Sequence, residues 1–325
     1  MKLVFTLFIL ILSLVANAQS FAEQHYQFDV NYKMMHGYYN RGLYQEATQY
    51  VDSLKDNRYV NGQVYYFFAR VYSLNNEFDK SLFYLKKAVK RGTTKVDVEK
   101  MYDLDKFRNS HLNIVFELNY DKWHQEYLSW VAELQIDSVY YKEIMEINSL
   151  SNNTRYKRVE TIDGDIVYEL KDSVEIAAVE KQDSVNFENL TDLFFEKGFP
   201  TYRKVGGAAF DAIRMLESNF IKGFNDLDSQ WEKIKPLIIK EIELGNLKPF
   251  IYGRLEDSYN GITKNPLLYL HPIYTYKDYQ VSFNEIVKPK ELNIRRKSIG
   301  LCPIEIEFWS LAKELPMSLQ EIKFK

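Results

Sequence analysis

The side chains of this 325-residue chain that could do chemistry are few and scattered. Its five histidines are His25, His36, His111, His124 and His271, and no two stand at the close spacing of a metal-ligand pair. No metal site and no cofactor is therefore expected. The single cysteine, Cys302, rules out a disulfide within the chain and a cysteine zinc site. A Cys302 nucleophile with partners gathered only in space stays open. The acidic pairs Asp163/Asp165 and Glu305/Glu307 fall in a turn and in a charged helix, where they read as solvated. No G-x-S-x-G elbow is present.

One loop invites a chemical reading. In "EKGFPTYRKVGGAAFDAI", Glu196 to Ile213, two basic residues and a Gly-Gly pair precede an apolar helix. A phosphate-cradling loop needs Gly-Lys-Ser/Thr immediately before its helix. Here Lys204 comes before the glycines, and Ala208-Ala209 stand where a hydroxyl is required. The simpler reading is a corner at Pro200 and a close approach at Gly206-Gly207.

The elements that would position such residues follow an export signal. "MKLVFTLFILILSLVANAQS" has a basic start, an apolar run shorter than a membrane span, and the small-x-small site Ala16-Asn17-Ala18. Residues 1–18 are expected to be removed, leaving an exported chain, periplasmic or extracellular, with no transmembrane segment. No lipid-acceptor cysteine follows the cleavage site. The formal charge of −3 gives no basic face for nucleic acid. The local basic clusters "KKAVKRGTTK" and "NIRRK" read as solvated faces.

A repeat organises the N-terminal third. Met35, Tyr38, Tyr44, Ala47, Val51 and Leu54 match Ala69, Tyr72, Phe78, Ser81, Leu85 and Ala88, each pair 34 residues apart. Small residues where helices cross, at that period, mark a helix-turn-helix repeat, and these residues resemble the tetratricopeptide repeat. Two such units need a neighbour to bury their faces. The following Gly92, Asp103-Leu104-Asp105 and Phe107 resemble the segment that closes many such arrays. The resemblance implies a partner-binding face on the first helix of each repeat: Tyr32, His36, Tyr39 and Asn40, then Tyr66, Arg70 and Ser73. The other reading is that the closing segment or the C-terminal domain folds over this face and makes its tyrosines core.

A helical stretch from about Tyr120 to Ile147 comes next. "YKRVETIDGDIVYEL" then carries a hairpin signal at Asp163-Gly164, with a flexible excursion as the other reading. Helical pattern resumes from Asn186 to Glu243. Gly245 to Phe283 suggests short strands, and a last helix is expected from near Lys290.

From about Asp137 onwards the chain resembles an uncharacterised family of exported bacterial domains. Asn186, Leu190, Gly198, Pro200, Val205 and Gly206 carry one block, with Phe199 where Trp is usual. Asn293, Arg295, Arg296, Gly300 and Leu301 carry another, and "FIYGRLEDSYNG" a third. The family's late His is missing from "IRMLESNF". The resemblance leaves Arg203, Lys204, Asp257, His271, Arg295 and Arg296 as candidates for a C-terminal site.

The fold expected is mainly α: a short helix-turn-helix array over 19–118 and a larger helical domain with small β-hairpins over 119–325. The leading functional expectation is an envelope interaction protein with a protein or peptide partner. The alternative is an enzyme, or a degenerate one, with a polar site in the C-terminal domain.

Overall fold

Helices dominate the computed structural model, which describes residues 21–151, 156–160, 166–222, 227–263, 267–269, 275–277, 280–282 and 287–311. The expected signal peptide, the Asp163-Gly164 turn and His271 lie outside the described residues. Among the described residues, no helix is long and apolar enough to cross a membrane.

The chain divides into two units. In the first, α1 (Phe21–Asn40) packs on α2 (Tyr44–Leu54), and α3 (Gly62–Leu74) on α4 (Phe78–Val89). The 34-residue period returns in the backbone. α2 and α4 start 34 residues apart, and the preceding turns match: Leu43 N donates to Tyr38 O as Glu77 N does to Tyr72 O. Both turns need a positive φ, supplied by Gly42 (75°) and by Asn76 (62°), residue types that tolerate it. Equivalent side chains are equally buried. Met35 and Ala69, Ala47 and Ser81, Val51 and Leu85, and Leu54 and Ala88 are all fully excluded from solvent. Ser81 adds a bond across the crossing, from Oγ to Ala69 O at 2.9 Å.

Short elements follow: α5 (Lys95–Lys100), a 3-10 turn (Tyr102–Leu104) and α6 (Asp105–Arg108). Thr94 and Asp97 close a capping box at the start of α5. α7 (Leu112–Glu133) then lays Phe116 and Trp123 against the array core, with Tyr120 partly buried beside them.

The second unit contains α8 (Ser138–Ser151), a two-stranded antiparallel pair β1 (Tyr156–Glu160) and β2 (Ile166–Leu170), and α9 (Ser173–Lys197). α10 (Tyr202–Val205), α11 (Ala208–Lys222), α12 (Leu227–Glu243) and α13 (Pro249–Ile262) complete it. Its core is aromatic, built on Phe187, Phe194, Phe199, Phe220 and Trp231. The expected helix over Tyr120–Ile147 is instead two helices. The chain breaks at 134–137 because Asp137 turns to cap α8, its Oδ1 accepting from Tyr140 N at 2.9 Å.

The C-terminal part differs most from expectation. β3 (Thr275–Lys277) and β4 (Gln280–Ser282) form a second antiparallel pair in the segment where short strands are expected, but the single expected last helix is a 3-10 turn (Pro289–Glu291) plus α14 (Leu292–Ser298) and α15 (Ile304–Leu311). These elements belong to the first unit, so one C-terminal domain over 119–325 does not describe the chain. α14 and α15 pack on α1. They give the first helix pair a neighbour on the flank that α3 leaves free, so the chain's own end buries a face that two repeats alone would expose.

Candidate functional site

Two stripes on α1 define the site. One stripe faces α3. His36 stacks on Phe67 with ring centroids 3.9 Å apart, and Tyr32 and Tyr39 meet Phe67 edge-on at 6.2 and 4.8 Å. Arg70 lies over three rings, those of Tyr39, Tyr66 and Phe67, at 5.3, 6.0 and 5.4 Å. The candidate residues Tyr32, His36, Tyr39, Tyr66 and Arg70 are thus brought together, and each is half-buried.

A carboxylate ties this surface together from below. Asp103 is 1% exposed; it accepts from the Tyr39 hydroxyl and from Arg70 Nε at 2.7 Å, while Arg70 Nη2 donates to Tyr39 at 2.6 Å. Burial, helped by Asp103, pushes the Tyr39 hydroxyl well above the usual phenol range, so it stays a donor. Burial likewise raises Tyr66 to about 12. The same burial, with Lys33 and Arg70 nearby, lowers His36 to about 3, and its buried Nε2 has no hydrogen-bond partner.

Ser73 and Asn40 are not part of this surface. Ser73 is fully buried, with Oγ donating to Asp103 O at 2.8 Å, because the closing segment folds across that end of α3. Asn40 donates to Ser310 O at 2.6 Å and belongs to the other stripe.

That other stripe is polar and meets the C-terminal segment. His25 Nδ1 donates to Gly300 O at 2.6 Å, and Cys302 N donates to Asp29 Oδ2 at 2.8 Å. Lys33 bridges Glu307 at 2.5 Å, and Arg296, wholly buried, donates to Glu307 Oε2 at 2.9 Å and to Cys302 O at 2.7 Å. Burial pulls the Lys33 ammonium down, but Glu307 and Asp29 outweigh it and hold it above its ordinary value. Glu307 and Arg296 therefore do not sit on the solvated faces expected from sequence; each is the counter-charge of the other.

Asp29, Cys302 and Glu307 also bring three ligand-type atoms within 4.8 Å of one another. Their chemistry is that of a clasp rather than a metal site. The two carboxylates already share Lys33 and the buried Arg296, and a metal ion would add charge beside both. The Cys302 thiol is pushed up by burial and by both carboxylates, against the needs of a nucleophile.

Of the other described C-terminal candidates, Arg203, Lys204 and Asp257 lie in the second unit and Arg295 in the first. Asp257, wholly buried, accepts from Leu268 N and Tyr269 N at 2.9 and 3.0 Å, so it organises backbone. Lys204 bridges Glu241 at 2.7 Å and donates to Phe199 O. Arg203 is exposed on α10. Arg295 donates to Val287 O within the first unit. In the quoted loop, Gly206 is required for its φ of 55°, whereas a side chain at Gly207 would meet open space.

The sequence reading missed Phe67, Asp29, Lys33, Glu307 and Trp309. One signal pointed to Trp309: Gly37 inside α1, where glycine costs about 1 kcal/mol relative to alanine unless close packing needs it. Comparison with known proteins finds no matching family model, no matching curated protein and no matching solved structure.

Proposed function

We propose that this chain is an exported interaction protein of the cell envelope, which offers a tetratricopeptide-like face to a protein or peptide partner. The observation that carries the reading is the group of Tyr32, His36, Tyr39, Tyr66 and Arg70, each keeping a minor part of its surface exposed, on adjacent faces of α1 and α3. Tyr and Arg are the residue types that most often dominate binding energy, because they offer large contact area with a polar tip. Asp103 fixes Arg70 and Tyr39 in place before any partner arrives, which lowers the entropy cost of binding. The enzyme reading takes second place because Lys204, Asp257, Arg295 and Arg296 are each engaged in local structure.

A photo-crosslinking amino acid placed at Tyr66, and separately at exposed Gln45 on α2, tests the face in cells. A partner adduct from position 66 and not from position 45 is expected. Equal adducts from both positions, or none from 66, would remove the reading. N-terminal sequencing of the exported protein should begin at Gln19; retention of residues 1–18 counts against export.

A further inference from the structure

Two surfaces with no role in the face above carry opposite charge around an apolar centre. In the second unit, α8 and α9 enclose a groove of about 380 Å³. Ile147, Leu150 and Leu193 give it an apolar floor, and Leu150 is 45% exposed. Glu146, Asp192 and Glu196 stand on its rim, and Glu143, beside them, bridges Lys197. No cation lies within ion-pair distance of those first three carboxylates among the described residues. The spacing explains the shape: positions 143, 146, 147 and 150 share one helix face, as do 189, 192, 193 and 196.

The basic cluster of α4, in the first unit, has the opposite character. Phe83 is 50% exposed, an aromatic ring without a covering element. Lys87 Nζ lies 4.6 Å from the centroid of that ring, and Lys86 is exposed next to it. Neither lysine has a carboxylate within ion-pair distance among the described residues, although Lys80 and Lys90 do. One apolar side chain flanked by cations without ion-pair partners, though over aromatic rings, matches an apolar groove flanked by carboxylates without ion-pair partners.

We propose that a second copy of this chain places Phe83 of its α4 in the α8–α9 groove, with Lys86 and Lys87 meeting Glu146, Asp192 and Glu196. Each chain carries one groove and one α4 face, so the contact is heterologous and joins copies head to tail. The match uses single exposed charges and one aromatic anchor, so the association is weak and salt-sensitive, on the order of 10–100 µM at low ionic strength.

Sedimentation of the full mature chain across concentration and salt tests it. Wild type should grow in mass with concentration and return to monomer at high salt. The groove variant Glu146→Lys/Asp192→Lys/Glu196→Lys and the face variant Lys86→Glu/Lys87→Glu should each remain monomeric. Mixing these two should restore association, because each supplies the charges the other now needs. The milder groove variant Glu146→Gln/Asp192→Asn/Glu196→Gln, which introduces no repulsion, should weaken association at least tenfold with unchanged melting. A monomeric wild type overturns the proposal, as do variants that associate like wild type or a mixture that stays monomeric.

Discussion

Trp309 occupies the space that a side chain at Gly37 would need: a Cβ added there would overlap the indole ring. Tyr38 meets the same ring edge-on at 5.0 Å, and the Arg41 guanidinium lies 4.2 Å from its centroid. Arg41 Nη1 also donates to Trp309 O at 2.9 Å, close to the C-terminal end of α15 where carbonyls lack helical partners. Gly37 is thus the point through which the chain's last described helix docks on its first.

Gly37→Ala should therefore destabilise the protein, by about 1–3 kcal/mol from overpacking, despite alanine's better helix propensity. In the background of Trp309→Ala the same substitution should be nearly neutral or stabilising. Urea unfolding of the four-member cycle measures the coupling; additive effects would contradict the contact.

Ala69 marks the crossing of α3 and α4. Ala69→Leu should cost about 1–3 kcal/mol, because the wholly buried site has no room for three more carbons. An unchanged thermal midpoint would count against the repeat packing.

Arg70→Ala would strip the buried Asp103 carboxylate of its cation. The expected loss is about 3 kcal/mol, near the low end for breaking a buried pair because the Arg70 side chain is 20% exposed. Arg70→Ala/Asp103→Asn should recover part of it. This also bears on a partner assay: a binding defect in Arg70→Ala is informative only if measured below its lowered melting temperature.

His36 makes the fold acid-sensitive. Its folded value, lowered to about 3, lies below the ordinary imidazole value of an unfolded chain, so the unfolded state takes up the proton first. The stability tied to neutral His36 is fully present above about pH 7 and is lost as pH falls towards 3. Between pH 7 and pH 5 the loss should be roughly 1–2 kcal/mol. His36→Phe should flatten that part of the stability curve; an unchanged slope would show that His36 is not the group responsible.

Cys302 should be inert in the folded protein. Burial keeps it protonated, and the thiol faces Glu307 Oε2 at 3.8 Å. Labelling by an aromatic disulfide should follow the rate of opening of the α14–α15 clasp, and Glu307→Gln should speed it. Labelling at the rate of a free thiol would show that the clasp is not closed.

The helix-pair repeat was legible in the chain, because the signs of it are local. Side-chain sizes at positions 34 apart decide whether two helices can cross, and Ala47, Ala69 and Ser81 were readable as small residues without knowing what they touch. Tyr39 and Arg70 were legible as one surface for the same reason, since the period carries α1 onto α3. The roles of Asp29, Lys33, Arg296 and Glu307 were decided only by the tertiary structure. Each looks like an ordinary surface charge in its own helix, and sequence patterning assigns such residues to solvent. Partners some 270 residues away remove Asp29, Lys33 and Glu307 from it, and Arg296 is enclosed with Glu307 in the same cluster. Whether Glu307 is solvated or a buried counter-charge depends on where Lys33 lies in space, a long-range relation that helical periodicity does not encode. Gly37 alone hinted at it, through an absence of side chain that only Trp309 explains.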